Sequence, residues 1–197
     1  MKNFVKQNLH WLFFAGMGFL SFILLSIPYI TLYVKGYMNA SAGVNGYGIM
    51  SSWGLGFGGV MSSLFQLVIF LTGHCLLALG IVGFLKEFKV IKIPDKIGKF
   101  DLKQWGSLLL LAYAALNVLL LIFLIILCAT NKNIVTIPAT YFTAAYKYTT
   151  GYRLSAGIFM TIIFSAGAFA ALYLLNKKYS QEPVSAPAED GDSTKEI

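Results

Sequence analysis

With 57% of its 197 residues apolar and only 12% charged, and a mean hydropathy of +0.72, the chain has too few polar groups to cover a water-facing surface as one soluble domain. Its formal charge of +7 arises from 15 basic and 8 acidic residues, all lying outside four long apolar stretches. Those stretches are continuously apolar, which excludes a membrane β-barrel, whose strands alternate apolar and polar residues over about ten positions.

A helix needs about 20 apolar residues to cross a hydrocarbon core of ~30 Å. Residues 11–34, 60–85, 105–129 and 154–175 meet that requirement without any Asp, Glu, Lys or Arg. Helices are the expected conformation, because each backbone group in lipid must be satisfied within its own segment. The fold class predicted is an all-α membrane protein, with four transmembrane helices in an antiparallel bundle, a transmembrane domain over 1–179 and a disordered tail over 180–197.

The first stretch follows Lys2 and Lys6 and precedes Ala40-Ser41-Ala42, as a cleaved signal peptide would. Its apolar run is longer than the 7 to 15 residues of a signal peptide, so it is assigned as a span. Pro28 is expected to kink it near its outer end.

The loop over 35–59 holds eight glycines, which are entropically expensive to order. It is expected to be a flexible connection, with a re-entrant or lid-like segment as the alternative. The run Gly54-Leu55-Gly56-Phe57-Gly58-Gly59 is no phosphate-binding fingerprint, since no strand precedes it. Ser52-Trp53-Gly54-Leu55 resembles part of the extracellular signature of claudin-type tetraspans. That signature also requires a second tryptophan and two cysteines, which this loop lacks, and no role of that family is carried over. Asn39-Ala40-Ser41 is a formal glycosylation sequon.

In the second span Gly59, Gln66, Gly73 and Gly80 recur at intervals of seven. In the fourth, Gly157, Thr161, Ser165 and Ala168 share a face. Small residues let helix backbones approach closely where lipid is as apolar as leucine, so the two seams are expected to meet each other or a partner.

Lys86, Lys89, Lys92, Lys96, Lys99 and Lys103 follow at helical spacing. The expected arrangement extends the second span to about Lys92, turns at Pro94, and offers the ammonium groups to anionic lipid headgroups. The alternative is simple retention of positive charge on the cytoplasmic side. Asp101 and Gln104 are spaced as a capping box for the third span, with Phe100 and Trp105 as its hydrophobic staple.

The loop over 130–153 carries Tyr141, Tyr146, Tyr148 and Tyr152. An interfacial belt of tyrosines is the expectation, and an aromatic vestibule the alternative. Beyond Tyr179 the Ser-, Ala-, Pro- and acid-rich composition is that of a disordered tail.

Basic residues near span ends set orientation. Eleven lie in the N-terminus, the second loop and the tail, against four elsewhere: Lys35, Lys132, Lys147 and Arg153. All eight acidic residues fall on the first side, so both termini are predicted to be cytoplasmic and the acid-free outer face is a poor cation trap.

Polar residues inside the spans point to function because lipid exposure penalises them. Gln66, His74 and Asn117 are the candidates, and His74 and Asn117 fall at similar depth, so a hydrogen bond between them is expected. Cys75 adjoins His74, but neighbouring residues on a helix point about 100° apart, which defeats a nucleophile–base pair. No catalytic, cofactor or metal site is expected, nor a nucleic-acid partner. Cys75 and Cys128 fall at different depths, too far apart for a disulfide. The expected function is a non-enzymatic accessory or scaffold subunit of a membrane assembly. The alternative is a small transporter or channel for a neutral or anionic solute, formed by oligomerisation around Gln66, His74 and Asn117. The expected partners are the lipid bilayer and other membrane subunits or further copies of the chain. The expected location is a multi-pass one in a cell membrane, with composition pointing to a bacterial plasma membrane.

Overall fold

A computed structural model describes residues 2–36, 39–94, 96–97, 100–139 and 145–180. The tail, apart from Ser180, lies outside them, as do Tyr141 and Lys99. Four helices are long and apolar enough to cross a membrane, through Asn8–Ser26, Gly56–Glu87, Leu102–Thr130 and Ala156–Leu174. In chain order the helices are α1 (Lys2–Ser26), the short α2 (Gly46–Ile49), α3 (Gly56–Glu87), α4 (Leu102–Thr130) and α5 (Ala156–Ser180).

The all-α expectation is overturned by a four-stranded antiparallel sheet at one end of the bundle. Its strands are β1 (Pro28–Lys35), β2 (Ala40–Asn45), β5 (Asn133–Ile137) and β6 (Tyr146–Leu154), in the order β2-β1-β6-β5. The first span therefore ends at Ser26 rather than at position 34. Proline disfavours the helical conformation in the residue before it, so Pro28 stops the helix instead of kinking it. The eight residues that begin there are rich in β-branched and aromatic side chains, which suit a pleated surface.

The two central strands continue the two outer helices of the chain. One residue, Ile27, separates α1 from β1, and one, Ser155, separates β6 from α5. β1 and β6 pair from Ile30↔Leu154 to Lys35↔Thr149, and the Ser155 amide donates to Tyr29 O at 2.9 Å. This ladder stitches α1 to α5 at the sheet end. Further along, the two helices flank an apolar groove of about 550 Å³ whose walls include Gly16, Met17, Gly167 and Ala168.

The glycine-rich loop is not a featureless connection, since it supplies β2, α2 and a 3-10 turn at Ser52–Gly54. Asn45 caps α2 by accepting from the Gly48 amide at 2.9 Å. Ser52 Oγ lies 2.8 Å from Ile49 O and 3.0 Å from Ser63 Oγ, while Ser63 Oγ lies 2.9 Å from that same Ile49 carbonyl. These hydroxyls tie the turn to the start of α3. Asn131 ties α4 to the same place, because its side-chain amide donates to Leu55 O and Leu127 O, each at 3.2 Å.

α1 and α3 run antiparallel, Gly80 meeting Ala15 and Gly73 meeting Ser21, and so do α3 and α4, Gly58 meeting Leu127 and Gly73 meeting Tyr113. α3 lies against α1 and α4, and α5 against α4 and α1. Phe14, Ile69, Leu76, Leu110, Leu120 and Leu124 are fully buried between them. At the opposite end from the sheet, Asp101 and Gln104 form the expected capping box of α4, with the Gln104 amide 2.6 Å from Asp101 Oδ1. α3 stops at Glu87 rather than near Lys92. Lys89 takes a left-handed conformation, φ 59°, while the Val90 amide reaches back to Leu85 O at 2.9 Å, an arrangement that ends a helix. A minimal hairpin of β3 (Lys96–Ile97) and β4 (Phe100–Asp101) leads into α4.

Candidate functional site

The polar residues inside the bundle separate into two environments. Gln66 and Asn117 are fully buried, as are Ser62, Thr161 and Ser165. Gly58 of α3 lies against Leu127 of α4, and Gly73 against Tyr113. That register sets Gln66 and Asn117 about 4 Å apart along the bundle axis, at ~1.5 Å per residue.

Asn117 Nδ2 donates to Tyr113 O at 2.7 Å, but its Oδ1 has no hydrogen-bond partner, and neither Ser62 Oγ nor either amide atom of Gln66 has one. The Tyr113 hydroxyl has Asn117 and Ser21 as neighbours without a bond of hydrogen-bonding geometry to either. An unsatisfied buried polar group costs about 1–3 kcal/mol. These groups are all neutral and include both donors and acceptors.

His74 is elsewhere. It is exposed on the outside of the bundle, its ring edge-on between Phe22 at 4.6 Å and Phe70 at 4.2 Å. Its Nδ1 lies 2.8 Å from Phe70 O. The expected hydrogen bond to Asn117 is therefore not formed, because one residue looks outward and the other inward.

The two small-residue seams do not meet. Gly73 faces Ser21 and Gly80 faces Ala15, both on α1, while Gly59 backs onto Ser52 and Leu55. On α5, Gly157 lies against Pro28 and Tyr29. Thr161 Oγ1 is 3.0 Å from the Tyr29 hydroxyl, Ser165 is buried, and Ala168 borders the groove toward α1. The α3 seam is thus shared between α1, the turn before α3 and Tyr113 of α4, and the start of the α5 seam packs on β1.

Of the lysines, Lys86, Lys89 and Lys92 border one recess of about 460 Å³. The break at Lys89 keeps them from sharing a helical face. Lys103 instead holds its ammonium 5.9 Å from the Trp11 ring centroid. The side chains of Lys96 and Lys99, and that of Phe100, lie outside the described residues. Sequence inspection missed the Trp11 Nε1 bond to Glu87 Oε1, 3.3 Å, whose signal was a tryptophan and an acid at the same ends of adjacent spans.

Among the described residues no group of three or more His, Cys, Asp or Glu is placed to hold a metal. Cys75 and Cys128 are free thiols. No family model matches the chain, and neither a curated protein nor a solved structure is similar to it.

Proposed function

We propose that this protein is a non-enzymatic accessory or scaffold subunit of a larger membrane assembly, docking its partner through the outer edge of the sheet. The observation that carries this reading is β5, an edge strand that among the described residues is paired on one side only, to β6. Its sequence Asn-Ile-Val-Thr-Ile contains no charge or proline, and Ile134 is 72% exposed. Natural edge strands are normally blunted by such residues, and an unblunted one is a template for a further strand. The lysine distribution supports an orientation with both termini in the cytosol and the sheet outside, in a plasma membrane, bacterial by composition.

The test is co-purification from native membranes with and without Thr136→Pro and Ile134→Asp. A stoichiometric companion lost in both variants is the expected result. Retention of the companion in both, or its absence from the unaltered protein, would overturn the proposal.

The second reading, a small transporter or channel formed by oligomerisation for a neutral or anionic solute, draws on the unpartnered amide of Gln66 and the unpartnered Oδ1 of Asn117. Solute flux in vesicles that is lost in Gln66→Leu would favour it over scaffolding.

A further inference from the structure

At the lysine end of α3 and α4 a charged recess and an apolar groove share a wall. Cys75, Ala78, Leu79 and Val82 stand at i, i+3, i+4 and i+7, and so form one stripe on α3. With Trp105 and Leu109 of α4 they line a groove of about 420 Å³. Lys86, four residues beyond Val82, continues the stripe into the recess of about 460 Å³ walled also by Lys89 and Lys92. Ile93 borders both spaces.

We propose that this composite site binds a phospholipid with an anionic headgroup. The phosphate sits against Lys86, Lys89 and Lys92, and one acyl chain lies along the stripe from Val82 to Cys75. Two observations select a lipid over a soluble phosphate. The charged part is contiguous with an apolar part of similar size. From Lys86 to Cys75 the stripe runs about 16 Å at ~1.5 Å per residue, close to half of the ~30 Å hydrocarbon core and hence one leaflet deep.

Among the described residues three lysines and no carboxylate line the recess. Their end of the bundle is also where the chain leaves the apolar span, at the depth of headgroups.

Trp105 is 40% exposed and lines the groove, so it reports occupancy. The full chain carrying Trp53→Phe is placed in phosphatidylcholine nanodiscs containing trace phosphatidylglycerol with brominated acyl chains, which quench indole fluorescence on contact. Half-maximal quenching is expected at a mole fraction on the order of a hundredfold lower than for brominated phosphatidylcholine, each of the three lysines being worth about fivefold. Lys86→Gln/Lys89→Gln/Lys92→Gln should erase the difference. Ala78→Phe, which fills the groove and leaves every charge in place, should weaken quenching by both lipids.

Equal quenching by the two lipids would overturn the proposal. Undiminished quenching in Ala78→Phe would reduce the effect to surface attraction and overturn the site. Displacement by soluble glycerol phosphate would reassign the lysines to a free phosphate ligand. Lys86→Gln alone, expected to cost about fivefold, keeps the test decisive if the triple variant does not fold.

Discussion

The Tyr29 hydroxyl donates to Thr161 Oγ1 across 3.0 Å, joining the second residue of β1 to the sixth residue of α5. The donor is assigned by elimination: the Thr161 proton is engaged by Gly157 O at 2.9 Å. Both side chains are fully buried. Sheet and bundle are therefore joined by side chains as well as by the β1–β6 ladder.

This hydrogen bond predicts an order of effects. Tyr29→Phe removes the donor but leaves Thr161 bonded to its own helix, and should cost about 0.5–1.5 kcal/mol. Thr161→Val strands a buried phenol without its acceptor and should cost more, about 1–3 kcal/mol. Unfolding in mixed micelles at increasing SDS content measures both, and the reverse order would mean that the bond does not form.

Two glycines in the spans should respond oppositely to alanine. A methyl group on Gly80 would run into the backbone of Ala15, whereas one on Gly16 would meet open space. Gly80→Ala should lose about 1–3 kcal/mol through overpacking, and Gly16→Ala should gain up to about 1 kcal/mol from helix propensity. Thermal midpoints in one detergent compare them directly. Equal shifts would contradict the close α1–α3 approach.

Gln66→Leu is expected to be neutral or stabilising. Both amide atoms are buried without a protein partner, and replacing an unsatisfied polar group by an apolar one of similar size removes a desolvation penalty. A loss above about 1 kcal/mol in the same SDS titration would instead show that the amide is satisfied, by ordered water or by a bound solute.

Asn131→Ala should loosen the start of α3 more than the end of α4. The side chain bridges Leu55 O to α4, whereas the main-chain amide of Asn131 keeps its own bond to Leu127 O at 3.1 Å. Hydrogen exchange at residues 56–59 should speed up severalfold, with little change near position 127. Uniform acceleration at both places would assign Asn131 a merely global role.

The helices are legible in the sequence because an uncharged apolar run of some 20 residues is at home in hydrocarbon and, once there, must bond its own backbone. Spans expected at 60–85 and 105–129 appear within α3 and α4, extended by only a few residues. The first span differs because an apolar run does not distinguish helix from strand, and Pro28 with its β-branched and aromatic successors suits a strand start as well as a kink. Tyr146, Tyr148 and Tyr152 recur at even intervals, a period that fits a strand and is equally compatible with an interfacial belt. The deeper obstacle is distance along the chain: Ile30 finds its partner at Leu154, and no local pattern records that pairing. For the candidate site, depth is legible, but rotation about the helix axis decides the contacts. The heptad of Gly59, Gln66, Gly73 and Gly80 marks the inward face of α3, and the same geometry turns His74 about 100° from Gly73.

The single-residue joints at Ile27 and Ser155 leave α1 and α5 almost no slack where they enter the ladder, while the Gly16 and Gly167 walls stand apart further down. A change in the twist or register of that ladder therefore has no loop to absorb it and meets the adjoining turn of each helix directly.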